Sequence, residues 1–155
     1  MSTPDELKNR FWTALADSPY LFLQLDSAPE KAVPMTAQLD KDADSAIWFF
    51  TSRDHGLARM GPATATFAGK DHDMFARFSG RLTEETSRER LEQHWSPMIE
   101  AWFDGKDDPR LLMLRMDLGQ AEIWNSDMGF FDNAKMLLGF DSREEAKEEH
   151  AEVVL

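Results

Sequence analysis

The sequence contains no cysteine. Disulfides, thiol nucleophiles and thiolate metal sites are excluded together. Nor does it contain an apolar run long enough to cross a bilayer as a helix. The opening residues, Met1-Ser2-Thr3-Pro4-Asp5-Glu6, lack the basic-then-apolar order of a secretory leader, so a cytoplasmic location is expected. Positive charge is scarce: 17 Lys and Arg face 29 Asp and Glu, a net charge of −12. Nucleic-acid phosphates need a basic patch, and anionic membranes attract the same charge, so neither is an expected partner.

Recognisable catalytic spacing is missing too. The histidines are His55, His72, His94 and His150, and none pairs with another at ligand spacing. His72 stands between Asp71 and Asp73, which reads as a solvated turn, so no metal is expected. There is no Gly-x-Ser-x-Gly elbow, no Gly-x-Gly-x-x-Gly turn and no phosphate-binding lysine loop. The pairs Glu84-Glu85 and Asp107-Asp108 sit in polar loops and read as solvent-facing charge. No catalytic residue is assigned.

What is present is a globular composition. The chain has 155 residues, of which 42% are hydrophobic and 30% charged, which suits one domain spanning 1–155. Thr3-Pro4-Asp5-Glu6 is a capping box with proline at the first helical position. Leu7, Phe11 and Leu15 then recur every four residues, so a helix is predicted over about 4–16. Short apolar runs bounded by turn residues predict strands at Tyr20–Leu25, Val33–Leu39, Ala46–Thr51, Ala63–Gly69 and Met74–Leu82. Two more are predicted at Leu111–Asp117 and Gln120–Asn125, joined by a Leu118-Gly119 turn. Short helices are predicted near residues 53–60, after the Thr86-Ser87-Arg88-Glu89 capping box, and at Phe130–Leu138. Pro97 interrupts the second of these. Residues 141–155 read as an acidic tail, its Asp141–Glu152 stretch a solvated face or frayed end. About seven short strands with helices at the ends predict a mainly β fold, a small β-barrel over about 20–126. A two-layer α+β sandwich is the alternative.

The concentrated signal is aromatic. The 5 tryptophans include Trp48, Trp95, Trp102 and Trp124, and core packing is the ordinary use of Trp48 and Trp95. Planar ligands held between aromatic walls are another use of such surface. The run Ala46-Ile47-Trp48-Phe49-Phe50 ends in Thr51-Ser52, whose hydroxyls and turn amides can hold an anionic oxygen. A helix starting near Asp54 would add its amides, and His55 and Arg59, four apart, would add charge on one side. A plain capping turn uses the same residues.

Pro34-Met35-Thr36-Ala37-Gln38 and Ile47-Trp48-Phe49-Phe50-Thr51-Ser52-Arg53-Asp54 resemble the general stress protein 26 group. That group belongs to the pyridoxamine 5′-phosphate oxidase-like, flavin-binding split-barrel superfamily. Phe78-Ser79-Gly80-Arg81-Leu82, Trp95-Ser96-Pro97, Ala101-Trp102-Phe103 and Ala121-Glu122-Ile123-Trp124 continue the resemblance in order. It implies a split β-barrel forming a homodimer with flavin at the interface, FMN first and FAD second. Met35, Thr36 and Ala37 would lie along the flavin ring. Phe50, Thr51 and Ser52 would meet the ring and phosphate chain, with His55 and Arg59 nearby, and Trp124 would reach the flavin. The superfamily's oxidases carry basic phosphate ligands where this chain has Ala32, Ala37, His55, Gly56 and Leu57. They also place an Arg and a His after the Trp motif, where Asn125-Ser126-Asp127 follows here. The resemblance therefore implies a flavin-binding stress-type protein, with flavin-dependent oxidoreductase activity open, rather than a true pyridoxamine phosphate oxidase. Alternatives are a barrel that has lost flavin and binds another small ligand or a protein partner, or a purely structural protein.

Overall fold

A computed structural model describes residues 3–125 and 150–155. The chain runs α1 (Pro4–Asp17), β1 (Tyr20–Leu25), β2 (Val33–Thr36), β3 (Ala46–Ser52), β4 (Gly61–Ala68), β5 (Met74–Glu84), α2 (Arg88–His94), α3 (Pro97–Glu100), β6 (Leu111–Asn125) and β7 (His150–Val154). Single 3-10 turns occupy Pro29–Lys31 and Gly56–Arg59. The Thr3 hydroxyl caps α1 by accepting from the Glu6 N–H at 3.2 Å. Pro4 and the Leu7, Phe11, Leu15 stripe behave as the spacing predicts.

The 7 strands of the described residues form one antiparallel sheet in the order β2-β1-β4-β5-β6-β3, with β7 added to β6. The sheet curls into a split barrel. Its two edge strands meet again at one point, where Gln38, just past β2, bridges Trp48 of β3. Gln38 N–H donates to the Trp48 carbonyl at 2.7 Å, and Trp48 N–H returns a bond at 2.9 Å. This one bridge closes the sheet at a single point and leaves the rest of the two edges apart.

Alternation places Leu21, Leu23 and Leu25, then Ala63, Ala65 and Phe67, then Met74, Ala76 and Phe78 on the inner face, all buried. Helix α1 lays Leu7, Phe11 and Leu15 into this core. Phe11 meets Phe67 and Phe78 edge-on, at ring distances of 6.2 and 5.2 Å. A smaller cluster on the other face, Ala46, Trp48 and Met113, packs Leu91 of α2 against β3 and β6.

Four expectations need correction. The carboxylate pairs are not simply solvent-facing charge in loops: Asp108 is buried, the Glu85 side chain is 12% exposed, and Glu84 ends strand β5. The Leu118-Gly119 turn is a bulge within one continuous 15-residue strand, β6. Pairing shifts there from Phe78↔Ala121 to Gly80↔Leu118. One extra residue flips the inward parity from Leu112, Leu114, Met116 and Leu118 to Ala121 and Ile123, and in sequence this resembles two separate strands. The second strand stops at Thr36 rather than Leu39, and beyond it Gln38 bridges to Trp48 of β3. The end of the acidic tail is not frayed: His150–Val154 pairs with Gln120–Trp124. The expected helix at 130–138 and the rest of the tail lie outside the described residues.

Candidate functional site: a cleft where two strands part

Beyond the Gln38–Trp48 bridge, β2 and β3 diverge. The ladder's next rung would join Thr36 to Phe50. Ala37 N–H bonds back to Pro19, and Arg53 N–H to Arg110, which fixes the alternation on both strands. The N–H and C=O groups of Thr36 and Phe50 therefore face the gap rather than their laddered neighbours. Pro34, also on this edge, has no N–H to leave unpaired.

The gap is a cleft of about 710 Å³. Pro34, Met35 and Thr36 form one wall, Phe50, Thr51 and Ser52 the other, and α3 with the residues after it the roof. The roof presents Met98, Ile99, Trp102 and Phe103. Trp102 is 78% exposed, an unusual position for tryptophan, and its ring is available at the cleft mouth. Ser96 caps α3 by accepting from Ile99 N–H, and Pro97 takes its first position, so the proline starts a new helix here rather than merely kinking the old one.

The polar end of the cleft carries mixed charge. The Ser52 hydroxyl donates to Asp54 at 2.5 Å, and this bond holds the Asp54 carboxyl below its ordinary pKa. Arg110 reaches the cleft but is tied to Asp108 at 2.7 Å. Its guanidinium bonds and two backbone N–H groups, from Asp104 and Arg110, hold Asp108 far below the usual carboxylate range. His55 sits at the cleft's rim, where its Nδ1 accepts the Leu57 N–H at 3.1 Å. A neutral His55 with Nδ1 so engaged carries its proton on Nε2, leaving a donor to present. The helix expected near Asp54 is the 3-10 turn Gly56–Arg59, and His55 itself consumes the Leu57 amide.

Of the residues singled out in sequence, Met35, Thr36, Phe50, Thr51, Ser52 and His55 line this one cleft. Ala37 is buried in the core beside it. Arg59 lies in an adjoining depression that shares His55. Trp124 is elsewhere, on the outer face of β6 opposite Phe75, with the Arg77 guanidinium 5.7 Å from its ring. Sequence reasoning did not place Asp54, Arg110 or the α3 residues in a site. The Ser96-Pro97 cap signal followed by Met98 and Trp102 was the cue for the roof.

The closing bridge is buttressed by a polar cluster under α2. Trp48 Nε1 donates to Glu85 at 2.9 Å, and the His94 ring stacks on Trp48 at 5.2 Å. His94 Nε2 lies 3.1 Å from Asp40, which also pairs with Arg90. Burial pushes the His94 pKa below its ordinary value, outweighing the upward pull of Asp40. The unfolded chain thus takes up this proton at higher pH than the folded chain, and stability falls as pH drops through that window. Thermal melts from pH 7.5 to 5.5 should show wild type losing stability relative to His94→Gln. A difference between the two that does not vary with pH would contradict this.

Within the described residues, no helix is long and apolar enough to cross a membrane, and no group of three or more His, Cys, Asp or Glu is placed to hold a metal.

Comparison with known proteins agrees with this architecture. The family model described as pyridoxamine 5′-phosphate oxidase like matches residues 6–139. General stress protein 26 of Bacillus subtilis (strain 168) is 33% identical over 54 residues, a match spanning 35% of this chain and 39% of that protein. The crystal structure of the general stress FMN/FAD binding protein from Xanthomonas citri is 38% identical, covering 81% of this chain and 93% of that one, with a TM-score of 0.73. A structure described as a general stress protein 26 from Jannaschia sp. CCS1 is 29% identical, covers 99% and 100% of the two chains, and has a TM-score of 0.78. With its curled sheet parted at β2 and β3, the chain belongs to the pyridoxamine 5′-phosphate oxidase like family.

Proposed function

We propose that this chain is a cytoplasmic, single-domain, general-stress-type flavoprotein that holds FMN, with FAD second, in the cleft between β2 and β3. The observation that carries the reading is the parted ladder. Two strand edges present the N–H and C=O groups of Thr36 and Phe50 to a cleft with apolar walls. A flat heterocycle with donors and acceptors around its rim matches that surface. Met35 and Phe50 supply apolar contact, and the Thr51-Ser52 end of β3 would lie along the sugar-alcohol chain. Asp54 suits that chain as well, since a carboxylate accepts from hydroxyls. The relative from Xanthomonas citri, described as FMN/FAD binding, supports the choice of ligand. A bound flavin supplies electron-transfer chemistry, which leaves the protein to orient it and tune its potential, consistent with an oxidoreductase.

The outer sheet face supports a homodimer. Tyr20, Phe22, Phe75 and Trp124 are exposed there. Burying this aromatic surface against a second copy would bring Trp124, absent from its own chain's cleft, toward the partner's.

Titrating the purified protein with FMN should quench flavin fluorescence at micromolar concentrations. The Thr51→Ala, Ser52→Ala double variant should bind about fivefold more weakly, one lost neutral hydrogen bond being worth about 1 kcal/mol. No quenching at tens of micromolar would remove the flavin reading. The charge around the cleft, with Asp54 at its rim and Arg110 already paired, favours one second reading: a barrel that takes an uncharged planar ligand instead. Riboflavin binding as tightly as FMN would support it.

A further inference from the structure

Resting on the flavin reading, we infer that the anionic end of the cleft's ligand is held outside the strands, by Lys31 and Arg59. A second depression, of about 270 Å³, adjoins the cleft and shares His55 with it. Lys31, from the 3-10 turn Pro29–Lys31, and Arg59, from the 3-10 turn Gly56–Arg59, line this depression with Leu25, Val33 and Leu57. Lys31 and Arg59 have no carboxylate partner among the described residues. Arg53, Arg77, Arg88, Arg90, Arg110 and Arg115 are all paired. What sets Lys31 and Arg59 apart from the chain's other cations without a carboxylate partner is that both line one depression, and that this depression adjoins the cleft.

The chemistry of the cleft points the same way. Its Thr51-Ser52 end is unsuited to a dianion, because Ser52 already donates to the Asp54 carboxylate. A phosphate placed there would face that negative charge at close range. A ligand passing over His55 leaves Asp54 behind. Nε2 of His55 offers a neutral donor on the way, and beyond it stand an ammonium and a guanidinium, both suited to phosphate oxygens. Lys31 ends the 3-10 turn that leads into β2 and Arg59 ends the 3-10 turn that follows β3, so the two cations flank the same two strands that wall the cleft.

The test compares flavins that differ only in the phosphate. Wild type and the Lys31→Ala, Arg59→Ala variant are titrated with riboflavin and with FMN, following flavin fluorescence. The variant should lose about 30-fold or more in FMN affinity, the size expected for two charge-assisted contacts, and change little for riboflavin. Equal FMN affinity in both proteins, or an equal loss for both flavins, overturns the inference. A separate arm keeps it testable should no flavin bind. Inorganic pyrophosphate is added to isotope-labelled protein, and the amide resonances of Gly56 and Leu57 are followed. Shifts that vanish in the double variant support the anion site by itself, and their absence in wild type overturns it. Both side chains are exposed, so the melting temperature of the variant should match wild type.

Discussion

Gly80→Ala should destabilise the protein by about 3 kcal/mol, among the larger losses that single substitutions cause. A Cβ at residue 80 would lie 2.3 Å from the Asp117 carbonyl oxygen and 3.1 Å from its carbon. Both obstructing atoms are backbone, so no side-chain rotation relieves the contact. Relief requires β5 and β6 to separate at the bulge, where register changes between Phe78 and Gly80. At about 2–4 °C per kcal/mol for a chain of this size, the melting temperature should fall by about 6–12 °C. Gly56→Ala is the control, because nothing lies within 4 Å of a Cβ built there and its φ is not positive. Equal denaturation midpoints for the two variants would show that the sheet gives way at the bulge without cost.

Phe11→Ala should cost at least as much, about 3–5 kcal/mol. Phe11 has 0% exposure, and its ring joins α1 to β4 and β5 through Phe67 and Phe78. Truncation leaves a cavity walled by sheet residues that backbone pairing holds in place, so collapse around it is restricted. Phe11→Leu fills much of the volume and should cost far less. Urea unfolding of the three proteins separates the outcomes. A loss below about 1 kcal/mol for Phe11→Ala would mean that α1 is not integral to the core.

Local signals made much of this fold legible in the sequence. Thr3-Pro4-Asp5-Glu6 and the Leu7, Phe11, Leu15 stripe specify α1 without reference to anything distant. The apolar runs at 20–25 and 46–51 read correctly because turn residues bound them on both sides. What escaped depends on tertiary partners. Gly119 resembles a turn until the shift from Phe78↔Ala121 to Gly80↔Leu118 shows a bulge. His150–Val154 has β-branched residues only at its end, and becomes a strand because β6 offers a free edge. The cleft was half legible. Met35, Thr36, Phe50, Thr51 and Ser52 were singled out by resemblance and do share a surface. The contacts of Asp54 with Ser52 and of Arg110 with Asp108 depend on side-chain directions that spacing does not give. Lys31 becomes relevant only because folding brings two 3-10 turns, far apart in sequence, around one depression.

The partnership of β3 with β6 also shapes how the chain must be made. Ile47-Trp48-Phe49-Phe50 emerges early in synthesis, yet its full ladder partner is Met113–Met116. At about 5–20 residues per second, translation leaves this apolar run without its mate for several seconds. During that interval Gln38 offers only a single rung. Nascent chains stalled before residue 111 should therefore bind holdase chaperones through this segment, and release them once the sixth strand has cleared the ribosome.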